Sequence, residues 1–331
     1  KKGVLWYEIQ RILKHNKKQG FPTKYVLLEN VDRLLKCPVN IKGADFTKIL
    51  QQLNSLEYAV EWKVINAGDY NMPQRRRRVF ILCYQKGTDI YEKIISDNYL
   101  WLTQKGVLAS AFKSKEYNNK RDYLLKHCKN YIQDRMRIDK SKFDDKTYYN
   151  EYMKHKKIPS LFDNSGLMIN GNIITAKHVA DKKENKNPLR NFLESNDSKI
   201  GEEFLVSKEE YLEKWQETKN SKKILRKSED QSFEYKWSEG KMAPFDKKDV
   251  PSRTIITSEG GKTALRTKHI IQYKNAYRRL LPSELDMLSM FPKNFTKVGE
   301  ISDSRRAFLV GNALVVGVVE KIGRELINNI H

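Results

Sequence analysis

The sequence predicts an α/β protein, on three observations. Residues 1–87 alternate helix-spaced and strand-like apolar segments, the stretch after Gly87 loses that alternation, and the last eighty residues regain it. A chain of 331 residues with 39% hydrophobic and 11% aromatic content is long enough for two domains with cores of their own. It is too aromatic for a disordered chain.

From Val4 to His15, residues Leu5, Trp6, Ile9, Ile12 and Leu13 recur at helical spacing, the mark of one amphipathic helix. Tyr25-Val26-Leu27-Leu28 is wholly apolar and runs into Glu29-Asn30-Val31. That pattern predicts a strand buried on both faces, with polar residues at its carboxyl end, where a parallel sheet gathers ligands. A helix follows over Phe46–Leu56. Tyr58, Val60, Trp62 and Val64 then alternate along a strand, and Val79-Phe80-Ile81-Leu82 forms another apolar strand.

Residues 101–160 carry 15 Lys+Arg against 7 Asp+Glu. Nine aromatics interleave with them: Trp101, Phe112, Tyr117, Tyr123, Tyr131, Phe143, Tyr148, Tyr149 and Tyr152. Interleaving of this kind suits phosphate contact with base or sugar stacking. A helical insertion with a solvated lysine face and an aromatic core has the same composition. Asn187-Pro188-Leu189-Arg190-Asn191-Phe192-Leu193 predicts a short capped helix, and 196–250 is mostly polar. Pro251 to Thr257 is strand-like, Pro282 opens a helix that stops before Pro292, and a final helix follows Gly311-Asn312. Its apolar stripe is Leu314, Val315, Val318, Val319, Ile322 and Leu326.

The formal net charge of +22, from 63 Lys+Arg against 41 Asp+Glu, draws a polyanion, and nucleic acid is the first candidate. A lysine-rich surface with no such partner is the plainer alternative. Cys37, Cys83 and Cys128 contain no C-x-x-C, which argues against a disulfide framework and a thiolate metal site, and for a reducing cytoplasm. No apolar run reaches the length of a membrane span, and no signal peptide opens the chain. The six histidines lie far apart, and H-E-x-x-H, G-x-S-x-G and the glycine-rich phosphate loops do not occur. Metallohydrolase, serine hydrolase and P-loop ATPase chemistry therefore drop out.

What remains is a set of polar residues at strand ends. Glu29, emerging from an apolar strand, is expected to be partly desolvated and to serve as a proton donor. Gln74-Arg75-Arg76-Arg77-Arg78 leads straight into an apolar strand, so alternate arginines point to opposite faces and two of them can share a cleft with Glu29. A solvated basic patch is the alternative.

Taken together, these segments resemble the later motifs of the DNA (cytosine-5)-methyltransferases. They are Glu29-Asn30-Val31, the Gln74–Arg78 box, Arg279-Leu280-Leu281-Pro282-Ser283-Glu284-Leu285, and Gly311-Asn312-Ala313, in the family's order and spacing. Gly3-Val4-Leu5-Trp6 resembles the motif that precedes them. Residues 88–250, without a match, occupy the place of the family's variable target-recognition region.

The resemblance implies the second half of a Rossmann-like S-adenosylmethionine-dependent methyltransferase sheet, with a smaller, irregular α+β target-recognition domain. By it, 1–87 is part of the catalytic domain, 88–290 the target-recognition domain, and 291–331 the return to the catalytic domain. Glu29 matches the carboxylate that holds a flipped cytosine at N3 and its amino group. Arg78 matches the arginine at the cytosine O2, and Arg76 supports the site. Leu5, Asn312 and Ala313 match cofactor-binding positions, and no metal is implied. Base flipping fits the chemistry, because a duplex base must leave its stack before its ring carbon can be reached.

The F-x-G-x-G loop and the Pro-Cys-Gln segment that carries the family's attacking thiolate do not occur in these 331 residues. The expectation is therefore a portion or subunit of a DNA cytosine-5 methyltransferase. Its partners would be double-stranded DNA, an N-terminal methyltransferase portion, and a cognate restriction endonuclease, with no membrane. The rival expectation is a non-catalytic, sequence-specific DNA-binding subunit.

Overall fold

The computed structural model describes residues 4–38, 41–136, 160–182, 184–227 and 234–330. They pack into two compact units, the first formed by Lys1–Ile65, Arg77–Asp181 and Ile322–His331, the second by Asn66–Arg76 and Lys182–Lys321. No helix among the described residues is long and apolar enough to cross a membrane.

In the first unit, helix α1 (Val4–Lys18) is the amphipathic helix the spacing predicts, and α2 (Ala44–Ser55) buries Phe46, Leu50 and Leu53. Strands β1 (Tyr25–Asn30), β2 (Tyr58–Asn66) and β3 (Arg77–Gln85) form one half of a six-stranded sheet. The other half is β4 (Ser114–Leu124), β5 (Ser165–Ile169) and β6 (Asn172–Ala180), in the order β1-β3-β2-β5-β6-β4. Helix α3 (Asp89–Ser96) follows β3, and α4 (Leu125–Met136) follows β4. One face of the sheet packs Tyr58, Val60, Trp62, Val64, Val79, Ile81 and Cys83 against α2 and Phe162. A Cβ at Gly166 would meet the Trp62 ring at 2.0 Å, so glycine is what lets β5 lie beneath that indole.

Two expectations for this unit change. β1 pairs β3 antiparallel and is an edge strand of the sheet, with Leu27 40% exposed, so it is half-buried rather than covered on both faces. The pairings β2–β5, β5–β6 and β4–β6 are antiparallel as well. Second, Trp101 and Phe112 are core residues, 2% and 0% exposed, and cannot stack on bases. The side chain of Tyr131, and Phe143, Tyr148, Tyr149 and Tyr152 altogether, lie outside the described residues.

The second face of β2 carries a buried polar pair. Glu61 accepts from the Tyr84 hydroxyl, from Trp101 Nε1 at 3.1 Å and from the Leu108 amide at 3.4 Å. Lys63 donates to Phe112 O at 2.6 Å and to Ser114 Oγ and the Tyr117 hydroxyl, both at 3.0 Å. Burial pushes Glu61 up to about 7 and pulls Lys63 down to about 7. These bonds pin residues 101–117 to the sheet.

In the second unit, β7 (Leu205–Val206), β10 (Ile271–Tyr273) and β11 (Ala276–Arg278) form a small sheet, and β8 (Lys222–Lys227) with β9 (Glu234–Glu239) forms a two-stranded ribbon. Helix α5 (Pro282–Leu288) opens on proline as expected, its core side packing Leu285 and Leu288 with Leu280, Ala307 and Val310. Helix α6 (Asp303–Asn312) is followed by α7 (Val316–Ile330), whose residues from Ile322 onward belong to the first unit; Val318 and Ile322 are buried. Gly311-Asn312 therefore ends one helix four residues before the next begins. The segment at Asn187 is a 3₁₀ turn over Leu189–Phe192. Pro251–Thr257 is not a strand: its one pairing is an isolated parallel bridge between Ser252 and Gln74.

Candidate active site

In the first unit, the antiparallel register sets Glu29 opposite Phe80 and Asn30 opposite Val79, which brings the carboxyl end of β1 beside the start of β3. There Arg78 Nε lies 2.9 Å from Glu29 Oε1, the side chains 18% and 27% exposed. Glu29 is thus met by a cation instead of the apolar surroundings expected of a strand buried on both faces, and the pair stays open to solvent. Asn30 turns back on the chain, its Oδ1 accepting from the Val31 amide at 2.8 Å.

One residue out of phase, Arg77 reaches Asp32 at 2.7 Å, both well exposed. On that side Arg77 and Asp32 line a cavity of about 280 Å³ with Phe162 and Lys177. The period of two therefore separates the arginines as the sequence suggests: Arg76 and Arg78 are sheltered, Arg75 and Arg77 exposed.

Arg76 belongs to the second unit, where it is 6% exposed. Its guanidinium donates to Ile255 O and to Gly311 O, both at 3.1 Å. The neighbouring Gln74 is fully buried; its amide donates to Ser289 Oγ at 3.2 Å while its oxygen accepts from the Ile255 amide at 3.1 Å. Arg75 N donates to Ser252 O, and Ser252 N to Pro73 O, each at 2.8 Å. The box is therefore laced to residues 252–255 through backbone and side chains, and Arg76 ties it to the Gly311-Asn312-Ala313 turn. A Cβ at Gly311 would fall 2.5 Å from the backbone of Ile256 and Thr257, which explains the glycine at that position physically.

Of the expected cofactor positions, Leu5 is 75% exposed on α1. Asn312 is exposed, with its amide donating to Phe308 O at 3.2 Å, and Ala313 caps α6. Leu5 belongs to the first unit and Asn312 and Ala313 to the second, and the Gly311 backbone beside them is packed against Ile256 and Thr257.

Sequence reasoning missed Arg278. The arginine that pairs with Glu284 is Arg278, through Nη1 and Nη2 at 2.9 and 2.7 Å, the two side chains 1% and 0% exposed. Glu284 also accepts the Leu281 and Glu194 amides at 2.8 and 2.7 Å. Arg279, the residue at which the motif was read to begin, donates instead to Glu203 O, Gly260 O and Gly261 O. The six-residue spacing of Arg278 and Glu284 was the available signal.

None of the three cysteines is prepared as a nucleophile. Cys83 lies within β3, completely buried, and burial pushes its thiol far up. Cys128 is pushed up to about 12 by burial, and Cys37 is raised by burial and by the nearby Asp45 carboxylate.

A model of the family described as C-5 cytosine-specific DNA methylase matches residues 1–328. The chain is similar to the Type II methyltransferase M.Sau3AI of Staphylococcus aureus, with 37% identity over 328 residues, 98% of this chain and 71% of that protein. It is also similar to the Type II methyltransferase M.NlaIV of Neisseria lactamica, with 40% identity over 84 residues, 24% of this chain and 19% of that protein. Among solved structures, the S. pombe Dnmt2 methyltransferase aligns with a TM-score of 0.49 at 14% identity, over 97% of this chain and 70% of that one.

Proposed function

The chain belongs to the C-5 cytosine-specific DNA methylase family, and we propose that it supplies the base-holding and DNA-reading portion of an enzyme that methylates C5 of a cytosine flipped from a specific duplex site. The observation that carries this reading is the Glu29–Arg78 pair, 2.9 Å apart and open to solvent at a strand end. O2 and N3 are adjacent on one edge of cytosine, so two groups held this close can meet both at once. Glu29 takes N3 and the amino group, and Arg78 takes O2.

Attack at C6 pushes negative charge onto the ring; a proton delivered near N3 by Glu29 and the Arg78 cation at O2 both stabilise it. Arg76 does not touch the base. It ties its own stretch, Gln74–Arg76, to Ile255 and Gly311 within the second unit. S-adenosylmethionine supplies the methyl group as a sulfonium, and Leu5, Asn312 and Ala313 are the residues of this chain that would hold it.

The attacking thiolate is assigned to polypeptide other than these 331 residues, because Cys37, Cys83 and Cys128 are buried or raised. Double-stranded DNA is the substrate, 88–290 the region that reads it, and a cognate restriction endonuclease in the cytoplasm the functional partner. Transfer of labelled methyl to duplex DNA, with and without an added polypeptide carrying Phe-x-Gly-x-Gly and Pro-Cys-Gln, tests the reading. Transfer only with the addition supports it; transfer by this chain alone overturns the placement of the thiolate, and none in either case favours the non-catalytic DNA-binding subunit.

A further inference from the structure

The cavity that Arg77 and Asp32 line lies wholly within the first unit. Arg77 and Arg78 are successive residues of β3, so their side chains leave opposite faces of the sheet. Val64 and Phe162, which pack with α2, place the cavity on the α2 face, and the Glu29–Arg78 pair belongs to the other. Its volume of about 280 Å³ is just under the roughly 300–1,000 Å³ of pockets that hold small organic ligands. The chemistry proposed for Glu29 and Arg78 makes no use of it.

The floor is apolar and held in place. Leu35, Val64 and Phe162 are buried, and the Phe162 ring meets Phe46 and Trp62 edge to face, with centroids 4.9 and 5.7 Å away. Gly43 backs that ring so closely that a Cβ there would fall 3.1 Å from it. A floor that need not reorganise spares a ligand the cost of ordering it. The wall is charged unevenly, with Lys36, Arg77 and Lys177 against Asp32 and Asp163. Each acid is already met: Asp32 by Arg77 Nε at 2.7 Å, and Asp163 Oδ2 by Arg121 Nε and Nη2 at 3.1 and 2.8 Å. Once those pairs cancel, the ammonium groups of Lys36 and Lys177 are the charge that the lining does not compensate. Burial, and then the Lys63 and Arg77 cations, pull His178 down to about 3, so this lining residue adds none. Arg77 reaches Asp32 through Nε, which leaves its Nη groups to donate elsewhere, and Asp163 keeps Oδ1 as an acceptor.

We propose that this cavity binds a free nucleoside monophosphate, with its phosphate among Lys36, Lys177 and the Arg77 Nη groups, its base on the Val64–Phe162 floor, and an exocyclic amino group donating to Asp163 Oδ1. A phosphate monoester carries about −1.5 to −2 charge at neutral pH, which matches the two lysines. Guanidinium and ammonium donors suit its oxygens. The apolar floor calls for a flat organic body as well as an anion, and the volume limits that body to one nucleotide. The inference stands apart from the methylase reading, because Glu29, Arg78 and the expected cofactor positions do not line the cavity.

The test is isothermal titration of the full chain with AMP, IMP, adenosine and inorganic phosphate. AMP should bind at one site, and adenosine and inorganic phosphate should each bind more weakly by about tenfold or more, because each keeps only part of the contacts. IMP, which has no exocyclic amino group, should lose about tenfold for the unmade bond to Asp163. Lys36→Gln/Lys177→Gln should weaken AMP by about tenfold or more at an unchanged thermal midpoint, and Lys36→Arg/Lys177→Arg should retain it. Glu29→Gln, on the other face, should leave AMP affinity as it is. A wild-type chain that does not bind AMP overturns the proposal, as does AMP binding that survives the double glutamine variant or disappears with Glu29→Gln. Inorganic phosphate binding as tightly as AMP reduces the cavity to a bare anion site and overturns the nucleotide. A double glutamine variant that loses affinity for a DNA duplex and keeps it for AMP overturns it in favour of a backbone contact.

Discussion

Arg78 and Glu29 meet at 2.9 Å across two antiparallel strands, while Arg77, the preceding residue, meets Asp32 at 2.7 Å. Two ion pairs of like geometry on successive residues thus point to different sides of one strand, and the proposed chemistry uses only the first. With the thiolate-bearing polypeptide present, Glu29→Gln should slow single-turnover methyl transfer by about 10²-fold or more, the scale of a lost general acid. Duplex binding should stay nearly intact. An unchanged single-turnover rate removes Glu29 from the mechanism.

The four consecutive arginines should differ in stability as well as in activity. Arg76 is 6% exposed and donates to two carbonyls from distant segments, so Arg76→Ala should cost about 3 kcal/mol in urea unfolding through unsatisfied buried acceptors. Arg75→Ala removes an exposed side chain and should stay within about 0.5 kcal/mol. Equal losses from the two would mean that the Gly311 brace carries no weight.

Strand period and apolar spacing made much of this legible. α1, α2, β2, β3 and α5 follow from spacing, and the separation of Arg76 and Arg78 from Arg75 and Arg77 follows from the two-residue repeat. The misread elements share one cause, which is that pairing partners are distant in sequence. Leu27 and Leu28 look the same on an edge strand as on a central one, because only the neighbouring strand decides. Ile255 and Ile256 look strand-like, yet the chain they meet is the Gln74–Arg76 stretch, whose side chains fill the space a ladder needs. Trp101 and Phe112 sit in basic sequence, yet Glu61 on β2 accepts from the Trp101 indole and Lys63 on β2 donates to the Phe112 carbonyl, contacts no local spacing announces. The β8–β9 ribbon lies in mostly polar sequence, where apolar alternation gives no strand signal.

Glu61 gives a pH signature. Burial raises it to about 7 in the folded protein, against about 4.3 in an unfolded chain, so between those values the folded state holds a proton that the unfolded state has lost. Stability contributed by this group is fully present below the unfolded value and falls as pH rises toward 7, by at most about 1.4 kcal/mol per unit. Lys63, lowered to about 7 against about 10.4 unfolded, acts in the opposite sense above 7. Thermal midpoints of the wild type should therefore drop between pH 5 and 7, and Glu61→Gln should abolish most of that drop. Parallel wild-type and variant curves would show that Glu61 is charged in the folded protein throughout.

Arg278 and Glu284 offer the most direct test of which arginine belongs to the motif. Glu284 is 0% exposed and takes both Arg278 nitrogens, so Arg278→Ala leaves a buried carboxylate without its cation and should cost about 3–5 kcal/mol. Adding Glu284→Gln should recover part of that loss. The neutral amide removes the uncompensated charge while its oxygen still accepts from the Leu281 or the Glu194 amide. Arg279 makes its bonds to Glu203, Gly260 and Gly261 instead, so Arg279→Ala and Glu284→Gln should destabilise additively. The two double-mutant cycles, run by urea unfolding, should show a coupling well above 1 kcal/mol for Arg278 with Glu284 and within about 0.5 kcal/mol of zero for Arg279 with Glu284. The reverse ranking would return the motif to Arg279 and undo the bidentate pair as the lock at the start of α5.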